Sequence, residues 1–217
     1  MTMPLRVLDL FCCQGGAAKG YADAGCEVTG VDIAPQPRYP YPFIQADAVA
    51  FVREHGDEFD FIHASPPCQF DSDCQRIQGN VHPDLIGPTR TALEATGRPW
   101  VIENVRGALP KLRTPVLLCG PMFGLATYRH RYFETGGGFH IVQPRHPRHA
   151  APQAKMGRPV PPGHFGQFIG NFSGVPLART VMGVQWMNRD GIRECIPPAY
   201  TQHIATAFLA SRLEVAA

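Results

Sequence analysis

"RVLDLFCCQGGAAKGYADAG", residues 6–25, is the stretch whose reading decides the fold. An apolar run ends in an acid and an aromatic residue. A turn carrying Gly15 and Gly16 follows, and then a helix-compatible segment. The same order recurs down the first half of the chain. "EVTGVD" (27–32) runs into a proline-rich loop, "FDFIHA" (59–64) into "SPPCQ" (65–69), and "PWVIENV" (99–105) into "RGALPKL" (106–112). Strand-like runs alternating with helical stretches predict βαβ units, hence an α/β fold of Rossmann-like class with a parallel sheet and helices on both faces. Parallel strands align their carboxyl ends along one edge, where open sheets of this kind bind ligands. Asp9, Gly15, Gly16, Asp32, Cys68 and Glu103 all fall at that edge.

Composition bounds the alternatives. The chain has 217 residues, 44% hydrophobic and 18% charged, which suits one core and a small lobe. A net charge of +2 announces no polyanion partner, so any basic surface must be local. Seven cysteines with no CxxC pair indicate neither a disulfide framework nor a zinc site, so no metal is expected. A reducing compartment fits this usage. The amino-terminal residues lack the pattern of a signal peptide, and no apolar segment reaches membrane-spanning length. The expectation is a soluble, cytoplasmic monomer.

Gly15 and Gly16 ahead of a helix allow a ligand to approach the backbone and the helix N-terminus. Asp32 closes the second strand, where dinucleotide-binding folds place an acid against ribose hydroxyls. No GxxxxGK[ST] loop occurs, which counts against an NTPase. A cofactor with adenosine but no phosphate stays open. Asp47 reads equally as a reader of the adenine edge and as a helix N-cap before "AVAFVREH". In "SPPCQ" two prolines fix the backbone on either side of no regular element, and a cysteine held there is positioned rather than merely packed.

With "DLFCCQGGAAKGY", "SPPCQ", "VIENV" and "YRHRYFE" in this order, the chain resembles the DNA (cytosine-5) methyltransferases, specifically compact phage-like members of restriction-modification type. The resemblance implies a Rossmann-like S-adenosylmethionine-dependent methyltransferase sheet with a late target-recognition insertion. It implies a catalytic and cofactor-binding domain over 1–134, a short recognition region over 135–176 and a returning C-terminal segment over 177–217. By the same resemblance the cofactor, S-adenosylmethionine, is held by Asp9, Phe11, Cys12, Gly15, Gly16, Asp32, Ile33, Asp47, Ala48 and Pro66. Cys68 matches the nucleophile, Glu103 the ENV acid, and Arg129 and Arg131 the arginines of QxRxR. On a strand, alternate positions would turn both arginines to one side. Glu103 also has a plainer reading, a carboxylate paired with an arginine such as Arg106. The implied partner is double-stranded DNA with the target base flipped out. Gln69, Ser72, Arg145, Arg148, Lys155 and Arg158 are the expected DNA contacts.

Some positions depart from the family's pattern. Cys13 stands where the glycine loop usually has glycine, Thr127 replaces the glutamine of QxRxR, and Glu194 falls where the late GNxV motif has asparagine. Cys74 has no assigned role. The stretch after Glu194 has helical spacing and reads as a closing helix packed beside the first strand. Between "YFETGGG" and "ARTVMGVQWM" the segment is short, with "QPRHPRHAAPQAKMGRPVPPGHFGQF" (143–168) rich in proline, arginine and histidine and with few acids. This local basic cluster suits phosphate contacts. Two other functions fit less of the chain: a tRNA cytosine-5 methyltransferase, and an inactive cofactor-binding protein that binds DNA.

Overall fold

The computed structural model describes residues 4–67 and 84–215. Its centre is a seven-stranded sheet in the order β3-β2-β1-β4-β5-β7-β6. The strands are β1 (Arg6–Leu10), β2 (Glu27–Asp32), β3 (Phe43–Gln45), β4 (Phe61–Ala64), β5 (Trp100–Asn104), β6 (Val116–Leu118) and β7 (Arg131–Gly136). The helices, numbered along the described residues, are α1 (Gly16–Asp23), α2 (Ala48–His55), α3 (Ile86–Ala95), α4 (Val175–Met182), α5 (Arg189–Glu194) and α6 (Pro198–Val215).

The first five strands pair in parallel, as expected. The expectation of a wholly parallel sheet is corrected at β7, which pairs antiparallel with both β5 and β6. β7 follows β6 across a connection that holds the 3-10 turn Gly120–Phe123 and no crossover helix. A parallel crossover needs about a dozen residues or more, usually as a helix, whereas a reversal does not.

Alternation along each strand sends side chains to two cores. Val7, Phe61, Val101 and Phe133 pack with α1 and α6, while Leu8, Leu10, Ile62 and Ile102 pack with α2 and α3. Sheets covered on both faces read as nearly continuous apolar runs, which is how "RVLDL" and "WVIEN" read. The closing helix packs against α1 and shares a core with Val7 of β1, as expected from its sequence. Gly20 of α1 makes this approach possible, because a Cβ there would collide with Pro198 O and Thr201 Oγ1. Thr201 Oγ1 also donates to Ala17 O at 2.8 Å.

A third apolar cluster joins Phe168 and Phe172 to Ala178, Met182, Val184, Met187, Ile192 and Cys195. It forms a small lobe over the carboxyl edge of the sheet. Between β7 and α4 the chain has no helix or strand, only one isolated bridge between Gln153 and Phe165. Phe139, Ile141, Ala154 and Phe168 of that coil are nonetheless buried.

Candidate active-site cleft

The edge that the strand ends define holds a cleft of about 330 Å³. From the expected cofactor set it is lined by Phe11, Cys12, Gly16, Asp32, Ile33 and Pro66. From the expected catalytic set it is lined by Glu103 and Arg131. Asp9, Gly15, Asp47 and Ala48 are not among its lining residues. Asp47 instead caps α2, accepting from Ala50 N at 2.8 Å, and Ala48 is buried in the core.

The turn between β1 and α1 is strained where it meets the cleft. Gly15 has φ 81°, and Phe11 and Cys13 take positive φ of 58° and 45°, which L side chains rarely adopt. Asp32 holds the turn by accepting from Cys13 N at 3.0 Å, while its other oxygen accepts from Ala34 N at 3.0 Å. The position where Cys13 departs from glycine is thus one where glycine would be at ease. Gly16 serves packing, since a Cβ there would collide with Cys195 Sγ and Ile196 O.

The turn is also tied to the late part of the chain by residues the sequence did not single out. Gln14 Nε2 donates to Asn188 Oδ1 at 2.8 Å, and Trp186 Nε1 donates to Gln14 O at 2.7 Å. Cys13 Sγ lies 3.8 Å from Glu194 Oε2, so the two departures from the family pattern touch each other. Burial raises the proton affinity of both groups.

Asp9 is fully buried beneath the turn, with Tyr39 OH donating at 3.4 Å. Burial pushes its pKa up to about 8. It is a neutral acid supporting the turn from below.

Cys68, Gln69, Ser72 and Cys74 lie outside the described residues. The approach to them is well held. Ser65 N donates to Leu10 O at 3.2 Å, and Asn104 Nδ2 donates to Pro66 O at 3.0 Å. Below them, Tyr21 OH and Ser65 Oγ flank the two nitrogens of the buried His63 at 2.9 and 3.4 Å. Burial lowers the His63 pKa to about 3, so the ring stays neutral. Pro66 and Pro67 line the cleft together with Glu103. Asn104, one residue past Glu103, is therefore an anchor that the sequence reading passed over.

Glu103 lies one residue before the end of β5, buried, with Oε1 2.8 Å from Arg131 Nε rather than paired with Arg106. That approach is an ion pair without hydrogen-bond alignment, so Oε1 keeps its accepting capacity. Burial raises the Glu103 pKa, opposed by Arg131 and then Arg129. Such a carboxyl is poised to carry a proton.

Arg129 departs from expectation. It precedes β7 with φ 29°, so it does not share a strand face with Arg131. Its buried guanidinium donates to Cys195 O at 2.7 Å, Phe168 O at 3.0 Å, Ile192 O at 3.0 Å and Arg193 O at 2.8 Å. A planar fork of five N–H groups suits this capture of carbonyls from two segments. Arg129 fastens the small lobe to the sheet. Burial lowers its pKa to about 10.

Arg145, Arg148, Lys155 and Arg158 all lie exposed on the coil between β7 and α4. No Asp or Glu occurs from residue 135 to 189. The coil also brings His146 and His149 up to Cys119 and His130, a grouping of side chains that could hold a metal ion. These four side chains come from three separate parts of the chain, so no compact motif signalled them. The pair in "HPRH" was the only local sign.

An α/β sheet with a cleft across its carboxyl edge defines the class of fold. No family model and no curated protein matches the chain. Among solved structures, it is similar to a protein described as a DNA modification methyltransferase encoded within an E. coli prophage. That match has 24% identity and TM-score 0.44, covering 61% of this chain and 46% of the other. It is also similar to DNMT2 of Spodoptera frugiperda (18%, TM-score 0.45, covering 66% and 54%) and to Dnmt2 of S. pombe (19%, TM-score 0.44, covering 61% and 49%). The chain thus spans about half the length of these structures. At this level of similarity the matches are findings beside the fold, and the site rests on its own geometry.

Proposed function

We propose that the protein transfers a methyl group from S-adenosylmethionine to C5 of a cytosine in duplex DNA. The observation that carries this is the meeting, in one cleft, of a buried Glu103, whose proton affinity burial raises, with the anchored Pro66–Pro67 segment that leads directly into Cys68.

The residues suit the cofactor. Phe11 and the 71% exposed Ile33 offer apolar surface at the same rim where Asp32 offers a carboxylate, a pairing that fits a purine and its ribose. When bound, S-adenosylmethionine supplies an electrophilic methyl group. The chain's own residues prepare the acceptor. The Cys68 thiolate forms a bond to C6, and the electron pair displaced from the C5–C6 double bond moves toward N3, where Glu103 gives up its proton. C5 then carries enamine character and takes the methyl. Loss of the C5 proton to water and cleavage of the Cys68–C6 bond restore the ring, and Glu103 takes its proton back from N3. Arg131 stands beside Glu103 where charge develops and holds the carboxyl in place.

The acid-free coil with exposed Arg145, Arg148, Lys155 and Arg158 supports a polyanionic substrate. The second reading is cytosine in tRNA. Incubation with methyl-labelled S-adenosylmethionine and either duplex DNA or tRNA, followed by nucleoside analysis, separates the two. The expected product is 5-methylcytosine in DNA; label confined to tRNA, or on another base, overturns the proposal.

A further inference from the structure

Cys119, His130, His146 and His149 present ligand atoms that all lie within 4.8 Å of one another. Cys119 is buried directly after β6, and His130 stands directly before β7. Both are therefore set by the sheet. His146 and His149 come from the coil that has no helix or strand of its own. The facing pairs are already close: Cys119 Sγ to His149 Nε2 is 3.3 Å, and His146 Nε2 to His130 Nε2 is 3.4 Å. A tetrahedral zinc with bonds of about 2.0–2.3 Å separates its ligand atoms by roughly 3.3–3.6 Å. Those two pairs therefore stand at coordination distance, and the widest pair needs a contraction of only about 1 Å.

We propose that these four side chains form a structural zinc site that staples the basic coil to the sheet. One thiolate and three imidazoles complete a four-coordinate shell with no open position, which marks a structural rather than a catalytic metal. Soft and borderline donors without a carboxylate exclude magnesium and calcium. The surroundings are built to hold the ligands. Tyr128 stacks on His149 with centroids 3.7 Å apart, and its hydroxyl donates to Ala151 O at 2.5 Å. His130 also stacks on His149, with centroids 5.0 Å apart.

The site explains how so long a coil takes one path. A segment of this length without secondary structure loses much conformational freedom on ordering, and metal binding supplies the compensating free energy. Arg145 and Arg148 flank His146 and precede His149, so the metal would fix where two of the exposed cations stand. This site does not depend on methyl transfer, and its test is independent of activity.

Metal analysis of protein purified without chelator should find one zinc per chain. Cobalt(II) added to chelated protein should give the intense visible bands of tetrahedral coordination with a thiolate charge-transfer band. In His146→Ala and His149→Ala the tetrahedral bands should vanish and zinc affinity fall by at least the roughly 100-fold that even outer-shell partners cost. Cys119→Ser should lose the charge-transfer band, whereas His140→Ala and His164→Ala should leave the spectrum unchanged. Circular dichroism of the two coil variants guards against a folding defect, because neither position lies in the sheet. Limited proteolysis within 137–174 should quicken on chelation and slow again when zinc is restored. Protein that holds no stoichiometric zinc, with a weak octahedral cobalt spectrum unaltered by His149→Ala, overturns the site.

Discussion

Replacing Arg129 by lysine keeps the charge and removes the fork. In the native arrangement the guanidinium satisfies four backbone carbonyls, those of Phe168, Ile192, Arg193 and Cys195. An ammonium has three donors on a single atom and cannot span carbonyls drawn from two segments. One to three carbonyls then lose their partner, each at about 1–3 kcal/mol when buried, so Arg129→Lys should lose roughly 2–5 kcal/mol. Against a total stability of about 5–15 kcal/mol for a domain, that is a large fraction. Urea unfolding followed by far-ultraviolet circular dichroism measures it directly. Binding of S-adenosylmethionine should weaken in parallel, because Arg193, Glu194 and Cys195 line the cleft. A variant within about 0.5 kcal/mol of the native protein, with activity alone lost, would refute the clamp and return Arg129 to the role expected from its sequence.

Three further outcomes are expected. Glu103→Gln should retain S-adenosylmethionine affinity while methyl transfer slows by about 10²–10⁴-fold, the range for a lost general acid; an equal loss of cofactor affinity, read by calorimetry, would assign the residue to binding instead. Asp9 keeps its proton in the fold up to pH of about 8 while the unfolded chain releases it near 3.8, so the unfolded state binds fewer protons in that window and stability falls as pH rises. Buried neutral His63 acts in the opposite sense, but only below its ordinary value of 6.5. Between pH 6.5 and 8 the native protein should therefore lose up to about 1.4 kcal/mol per pH unit, and Asp9→Asn should flatten that slope in urea titrations at several pH values. Cys13→Gly should relieve the left-handed backbone by up to about 1 kcal/mol and raise the melting temperature by about 2–4 °C; a fall would show that the Cys13–Glu194 contact outweighs the strain.

Much of the site was written locally. Asp32 and Glu103 stand at or next to the ends of strands whose apolar runs are unmistakable, and parallel pairing then puts them on one edge. The left-handed φ at Arg129 was not legible, because nothing in "TYRHRYFE" distinguishes a strand from a strand preceded by a kink. Only the captured carbonyls reveal why the chain turns there. The antiparallel β7 escaped notice for a related reason: its direction is set by how the chain returns from β6, not by the strand's own residues. Asn104 and Asn188 act through partners far away in sequence, at Pro66 and Gln14; Asn104 belongs to no local pattern, and the local role of Asn188 as the N-cap of α5 says nothing of its reach to Gln14. Cys119 and His149 are brought together by the fold of the coil.

The central claim is that the segment anchored at Pro66 delivers Cys68 to C6 of an extruded cytosine. Duplex DNA carrying 5-fluorocytosine at the target position blocks loss of the C5 substituent and should trap the enzyme after methylation. In the presence of S-adenosylmethionine, mass spectrometry should find a covalent protein–DNA adduct on the peptide containing Cys68, absent in Cys68→Ala. An adduct that persists in Cys68→Ala, or 5-methylcytosine formed by that variant at the native rate, would contradict the account.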